Sequence, residues 1–347
     1  MTVDVSPFDL PLRTSLSTAR GPIDRRRGFV LRGTVDGSEG VGEATPLPGW
    51  TESVDDCRRA LELVDDPGAA LGTGILDDAP AARHAVSLAL FDARARAAGE
   101  SLARFLGGAS ATVAERVPVN ATVGSASVQE TADAVRDAAA VGHDCVKMKV
   151  GVDAVDRDIE RLVAAREAAP RVDLRADANG AWTRGEAERF ADAIADHGLS
   201  LDYLEQPLSS EALAGHAALR AETDLRIALD ETLASVSVDA VLSTGAADVL
   251  VLKPMAMGGP DRTLAVAERA AEAGVDSVVT TTIDAVVART AALHIAATLG
   301  DPPACGLATA DLLARDLAPD PAPVEAGRMT VPGGPGTAGD AFATLDT

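Results

Sequence analysis

From Val117 onward the chain repeats one cycle, in which a short apolar run ends in a polar residue and an alanine-rich amphipathic stretch leads to the next run. The runs are RVPVNATV, CVKMKV, VDLRADANG, LDYLEQP, RIALDET, DVLVLKP, SVVTTTI and ACGLAT. Their polar ends are evenly spaced: 28 residues from Lys149 to Asp177, 28 on to Glu205, 25 to Asp230, 23 to Lys253, 27 to Thr280 and 26 to Gly306. Each step accommodates one strand and one helix and little else, the pattern of parallel strands joined by helical crossovers. Eight such units predict an α/β chain folded as a (β/α)8-type barrel over residues 113–317, with the last unit the least regular. A doubly wound open sheet is the competing arrangement, but no GxGxxG or Walker-type loop follows the first strands.

Residues 1–112 have a different texture. GFVLRGTVDG and GVGEATPLPG read as a hairpin or meander with glycine turns, and two helical stretches follow at about 51–65 and 79–98. This predicts an α+β domain ahead of the barrel. The Pro- and Gly-rich segment 318–347 is expected to return and complete that domain.

Composition narrows the function classes. With 53 acidic against 31 basic residues the net charge is -22, so nucleic acid and anionic membrane, whose phosphates call for clustered cations, are not expected partners. No run of about 18 apolar residues occurs, and the amino terminus lacks a signal-peptide pattern. Cys57, Cys145 and Cys305 are far apart and show no CxxC spacing, which fits a reducing cytoplasm. Oligomeric state leaves no mark on the sequence. The even spread of acid, with arginine in place of lysine, is the balance expected of adaptation to molar salt.

That arginine bias makes the lysines informative. Of the 31 basic residues only Lys147, Lys149 and Lys253 are lysine. An arginine stays protonated in any protein environment, whereas a lysine can be brought near neutrality and take a proton. In CVKMKV the side chains alternate, so Val146, Met148 and Val150 face the helix layer and Lys147 and Lys149 face the barrel axis. Each lysine is expected to lower the pKa of the other. The next three strand ends deliver Asp177, Glu205 and Asp230. Three converging carboxylates without His or Cys suit a hard cation, Mg²⁺ with Mn²⁺ as a substitute. Arg175 and Asn179, two residues either side of Asp177, are placed to orient a ligand or substrate. Lys253 arrives from the sixth strand, opposite Lys149. A lysine on each flank of a Mg²⁺ site suits abstraction of a proton α to a small-molecule carboxylate.

On these residues the sequence resembles the enolase superfamily, in its muconate-lactonizing branch with a KxK motif on the second barrel strand and a lysine on the sixth. The resemblance covers nearly the whole chain and implies a modified TIM barrel with an amino-terminal capping domain. PLRTSLSTARGPIDRRRG resembles the loop that closes over substrate in that superfamily. It also implies Lys149 as acid/base, Asp177, Glu205 and Asp230 as metal ligands, and Lys253 as the opposing lysine. Within the branch, GEATPLPGW, LRADANGAW and CGLATADLLARDL are most similar to the o-succinylbenzoate synthases of menaquinone biosynthesis. That likeness implies dehydration of 2-succinyl-6-hydroxy-2,4-cyclohexadiene-1-carboxylate, with Thr280 and the Gly306 backbone holding the succinyl carboxylate. Two positions depart from relatives: TTTIDAVV replaces a serine-rich run, leaving Asp284 without an inherited role, and Gly306-Leu307-Ala308-Thr309 stands where epimerases show DxD. Dipeptide epimerase, N-acylamino acid racemase and muconate cycloisomerase remain alternatives within the branch. A Schiff-base barrel aldolase is an alternative outside it.

Overall fold

The computed structural model describes residues 3–18, 21–35, 37–109 and 111–347. The first three strands, β1 (Val3–Thr18), β2 (Gly21–Val35) and β3 (Ser38–Ala44), form an antiparallel sheet in the order β1-β2-β3. The loop-like segment PLRTSLSTARGPIDRRRG is largely the tip of the β1–β2 hairpin, paired as far as Thr18↔Gly21, with 19 and 20 outside the described residues. Four helices follow: α1 (Val54–Leu61), α2 (Pro67–Thr73), α3 (Pro80–Ala98) and α4 (Leu102–Gly107). Ser53, Asp66 and Ser101 cap α1, α2 and α4 through their side chains, each supplying an acceptor for a first-turn N–H. The longest, α3, is buried along most of its length because it lies against β3 and the barrel. Its approach to β3 is close enough to demand glycine: a Cβ at Gly42 would sit 1.9 Å from the carbonyl oxygen of Ala85.

The run RVPVNATV divides into β4 (Arg116–Pro118) and β5 (Ala121–Val123), and only β5 belongs to the barrel. From there strand and helix alternate as expected: α5 (Val128–Ala140), β6 (Cys145–Lys149), α6 (Val155–Ala168), β7 (Asp173–Asp177), α7 (Arg184–Asp196), β8 (Leu204–Glu205), α8 (Leu213–Glu222) and β9 (Ile227–Leu229). The second half adds α9 (Val238–Thr244), β10 (Val249–Leu252), α10 (Pro254–Met257), α11 (Pro260–Glu272), β11 (Asp276–Val279) and α12 (Val286–Ala297). The seven strands β5 to β11 pair in sequence order, all parallel. ACGLAT forms no strand of its own. It closes the ring by two parallel bridges, Val119↔Cys305 and Thr280↔Gly306, which join the two ends of the sheet. The fold is a modified TIM barrel with a capping domain. Apolar strand faces and helix stripes meet in a shell that includes Val146, Met148, Leu174, Phe190 and Leu250. Burying a side chain such as Phe190 contributes roughly 1.5–3 kcal/mol.

Cap and barrel are joined by a polar clamp. Glu43, at the end of β3 and fully buried, accepts the N–H groups of Ala285 and Ala288, both at 2.8 Å, and so caps the first turn of α12. Arg26 of β2 donates to the carbonyls of Thr45, Pro46 and Ile283. Ile283 is held at φ 63°, a costly conformation for a β-branched residue. Asp284, the residue without an inherited role, is buried in this junction and accepts from Thr282 Oγ1 at 2.5 Å. The carboxy-terminal segment serves both parts. β12 (Val324–Glu325) and β13 (Arg328–Thr330) add to β4 beneath the barrel, while Phe342 and Leu345 pack with Phe8, Leu10 and Leu12 of the cap. Among the described residues no helix is long and apolar enough to cross a membrane.

Candidate active site

Register places the chemistry. β6 pairs with β7 so that Lys149 lies beside Asp177 and Lys147 beside Arg175, and β7 pairs with β8 so that Asp177 lies beside Glu205. Alternation along each strand then puts Lys147, Lys149, Asp177 and Glu205 on the inner side, near the carboxy-terminal ends where barrel loops gather. Lys147 Nζ donates to Glu205 Oε1 at 2.6 Å and lies 2.9 Å from Asp177 Oδ2, which also accepts from Lys149 Nζ at 2.6 Å. Lys149 donates in addition to Asn179 Oδ1 at 2.8 Å. On the far side the buried ammonium of Lys253 is bonded to both oxygens of Asp230. It also stands 3.6 Å from the ring centroid of Trp50, which the cap delivers at the end of GEATPLPGW.

The electrostatics differ from expectation in one respect. Adjacent ammonium groups were expected to lower one another's pKa, but the structure inserts a shared carboxylate oxygen between them. Burial alone would depress Lys147, yet Asp177 and Glu205 outweigh it and hold Lys147 well above the usual lysine value. Asp177 is buried too, but the two lysines keep its carboxyl well below the usual range. Glu205 is pushed up to about 7 by burial and by the Asp177 charge, and Asp230 to about 6 by burial, which Lys253 only partly offsets. Carboxylates whose ionised form is so disfavoured by burial are ones that gain from a cation.

Among the described residues, no three carboxylate, His or Cys side chains are gathered into a closed cation cage, because each of the three expected ligands is turned toward a lysine. The donor set still suits a hard cation. All three are carboxylates on consecutive strand ends, and Glu205 Oε2 is buried with no hydrogen-bond partner.

The remaining expected residues are placed as follows. Arg175 lies level with Lys147 in the register of β6 and β7. It lies two residues below Asp177 on the same face, roughly 6–7 Å down the strand. There it is fully buried, bound to Asp202 Oδ2 at 2.8 Å and the Ala304 carbonyl at 2.5 Å, and stacked on Tyr203. Its side-chain contacts are with the barrel wall and with Tyr203, which itself lines the cavity. Thr280 and Gly306 do line a cavity at the mouth, with Asn120, Thr122, Lys147, Tyr203, Glu205, Ala308 and Thr309. Both also close the ring: Thr280 Oγ1 donates to the Gly306 carbonyl at 2.9 Å, and the Gly306 N–H is spent on Val279. Asn179 stands beside Lys149 with its backbone at φ 45°, fixed by its own N–H to Asp177 Oδ1 at 3.0 Å. Sequence reasoning did not reach Trp50, Gln206 or Glu231. Gln206 is buried, and its Oε1 accepts the N–H groups of Asp230 and Thr232, both at 3.1 Å, fixing the strand end that carries Asp230.

Residues 130–339 match the family model described as enolase C-terminal domain-like. The chain belongs to the enolase superfamily. It is an enzyme of that superfamily, similar to relatives of several activities. It is 31% identical over 312 residues to the L-Ala-D/L-Glu epimerase of Bacillus subtilis, covering 85% of this chain and 84% of the relative. It is 32% identical over 306 residues to the N-succinylamino acid racemase of Thermus thermophilus, covering 83% and 80%. It is 39% identical over 216 residues to the o-succinylbenzoate synthase of Mycobacterium tuberculosis, covering 61% and 63%. The substrate-liganded Bacillus subtilis epimerase structure superposes with a TM-score of 0.86 at 27% identity, covering 97% of this chain and 98% of that one. A dipeptide epimerase from Methylococcus capsulatus, solved with Mg and the dipeptide L-Arg-D-Lys, superposes with a TM-score of 0.85 at 27% identity, covering 97% and 98%. Enolase-superfamily membership thus agrees with the barrel and the cap. The relatives divide among an epimerase, a racemase and an o-succinylbenzoate synthase.

Proposed function

We propose that this enzyme removes the proton α to a carboxylate with Lys149, and that its reaction is the dehydration of 2-succinyl-6-hydroxy-2,4-cyclohexadiene-1-carboxylate to 2-succinylbenzoate. The observation that carries the choice is the unequal setting of the two lysines. Lys149 keeps a third of its side chain exposed at the mouth, whereas Lys253 is almost wholly buried, paired with Asp230 and covered by Trp50. A two-base racemisation calls for a proton acceptor on each face; a syn-dehydration needs one mobile lysine and one fixed charge. The cavity wall at Ala308 and Thr309 is uncharged, so the ammonium of a dipeptide finds no carboxylate there.

Asp177, Glu205 and Asp230 are the residues that would hold Mg²⁺. Bound there, the cation supplies positive charge against the substrate carboxylate as the α-carbon becomes carbanionic. Lys149, as the amine, takes the α-proton and becomes an ammonium. It then returns that proton to the departing hydroxyl on the adjacent carbon, so that water leaves and the ring becomes aromatic. Lys147 is held protonated between Asp177 and Glu205 and faces the cavity, where it pairs with a substrate carboxylate. Lys253 balances charge from the opposite side.

A second reading, N-succinylamino acid racemisation, is favoured by the longer match to the Thermus thermophilus relative and by the presence of both lysines. Both readings place a succinyl-bearing carboxylate in one site. Incubation with the cyclohexadiene carboxylate and Mg²⁺, followed by absorbance of the aromatic product, tests the first. Racemisation of an N-succinylamino acid in D₂O, with no aromatic product from the diene, would replace the first reading by the second.

A further inference from the structure

Asp230 and Glu231 are neighbours in the chain, but their side chains part. Asp230 turns to Lys253, while Glu231 Oε1 accepts from Asn179 Nδ2 at 2.8 Å, and Asn179 Oδ1 in turn accepts from Lys149 Nζ at 2.8 Å. An ammonium can only donate and a carboxylate only accept, so Asn179 has one amide orientation that satisfies both neighbours. The backbone cooperates: φ 45° at Asn179, a conformation asparagine tolerates better than most residues, sets the amide between the two groups. Glu231 Oε2 is buried and has no partner, so the side chain's one hydrogen bond is the one to Asn179.

We infer that Glu231 is a positioning residue for Lys149, acting through Asn179. Of the three protons on Lys149 Nζ, one is directed at Asp177 Oδ2 and one at Asn179 Oδ1; fixing two directions fixes the third. Asp177 is also assigned to the cation, which leaves Asn179 as the neighbour dedicated to the lysine. An Asn179 amide without its anchor would be free to swing away from the ammonium, and the bond to Glu231 prevents that. The pair Asp230–Glu231 therefore sets both lysines from one turn, each acid serving a different face of the substrate. This inference rests on the reading of Lys149 as the acid/base, and its test has an arm that needs no substrate.

With only three lysines in the chain, ¹⁵N-lysine labelling gives a side-chain spectrum that Lys149→Arg assigns by loss of one signal. Glu231→Ala and Asn179→Ala are expected to move the Lys149 Nζ resonance alike, with the Lys253 signal in place and Mn²⁺ affinity, read by electron paramagnetic resonance, within about threefold of wild type. In turnover, Glu231→Ala is expected to lower kcat about tenfold to hundredfold at nearly constant KM, as a small misplacement of a reacting group does. Glu231→Gln, which keeps the acceptor, is expected to restore most of that loss, and Asn179→Ala/Glu231→Ala to be no slower than Asn179→Ala. An unmoved Lys149 resonance in Glu231→Ala would overturn the inference, as would equal impairment of the Ala and Gln variants, additive losses in the double variant, or loss of Mn²⁺ binding. If Glu231→Ala does not fold, the Gln variant and Asn179→Ala decide: a Lys149 resonance unmoved in Asn179→Ala, or kcat in Glu231→Gln as low as in Asn179→Ala, overturns it. A wild-type enzyme with no activity toward either proposed substrate sinks the functional reading and leaves the spectroscopic arm to decide this one.

Discussion

Glu43 offers the most demanding test of the junction between cap and barrel. Burial lifts its carboxyl from the ordinary value of 4.5 to about 7, and Asp284 and, more weakly, Asp316 push in the same direction; the hydrogen bonds from Thr45 and Ala288 pull back. The other groups facing it are Arg26, itself buried, and His84, whose Nδ1 lies 2.7 Å from the Glu43 carbonyl. A folded-state value above the unfolded one means that the fold favours the protonated acid. Its contribution is therefore complete below pH 4.5 and is lost as pH rises through about 7. At 1.36 kcal/mol per pH unit the loss is about 3 kcal/mol. Glu43→Gln keeps the shape and one acceptor but cannot titrate. The assay is urea unfolding of both proteins at several pH values between about 4.5 and 8. Contributions from Glu205, Asp230 and the histidines are common to both and drop out of the difference. The variant is expected to gain about 3 kcal/mol on wild type across that range. A difference that stays constant to within about 0.5 kcal/mol would show that Glu43 does not ionise there and that the argument from burial is wrong.

Four other outcomes are expected. Lys149→Arg should abolish α-proton exchange into D₂O, a loss of at least about a thousandfold, with an unchanged circular dichroism spectrum; retained exchange removes Lys149 from the chemistry. Trp50→Leu should lower kcat about 2- to 30-fold, the range a cation–π contact of roughly 0.5–2 kcal/mol can account for, and an unaltered kcat would mean that the contact with Lys253 has no catalytic weight. Gly306→Ala places a Cβ 2.4 Å from Thr280 Oγ1 and should cost about 1–3 kcal/mol in urea unfolding; full stability would show that the ring closure at this point yields easily. We also propose that the acidic surface is an adaptation to salt: Tm should rise by several degrees between low and about 3 M KCl as the repulsion among a net -22 is screened, and a flat or falling Tm counts against it.

The barrel was readable because each strand announces itself twice, by its apolar run and by the polar residue that ends it. ACGLAT satisfied the same pattern yet makes only two bridges, since what closes a ring is a partner on each side, and spacing along one chain does not contain that. Arg175 shares a strand face with Asp177, but period 2 carries no depth, and only the structure shows that its guanidinium is held by Asp202 and the Ala304 carbonyl. The adjacent lysines were read from their own charge alone; the carboxylate shared between them comes from another strand. Trp50 reaches Lys253 from the other end of the chain, a contact with no local signature. Glu231 was hidden by its neighbour, because in a short strand end two consecutive acids look alike until the backbone shows which side each faces.

The seating of α12 on Glu43 limits how this enzyme can be recombined. A helix whose first-turn acceptor comes from a different domain cannot be transplanted with its barrel alone, nor can the cap be lent to another barrel as a cassette. A chimera with the junction drawn at about residue 112 would separate Glu43 from Ala285 and Ala288 and leave two amides buried without acceptors. Exchange of the cap between relatives therefore has to carry residues 283–288 along with 1–53.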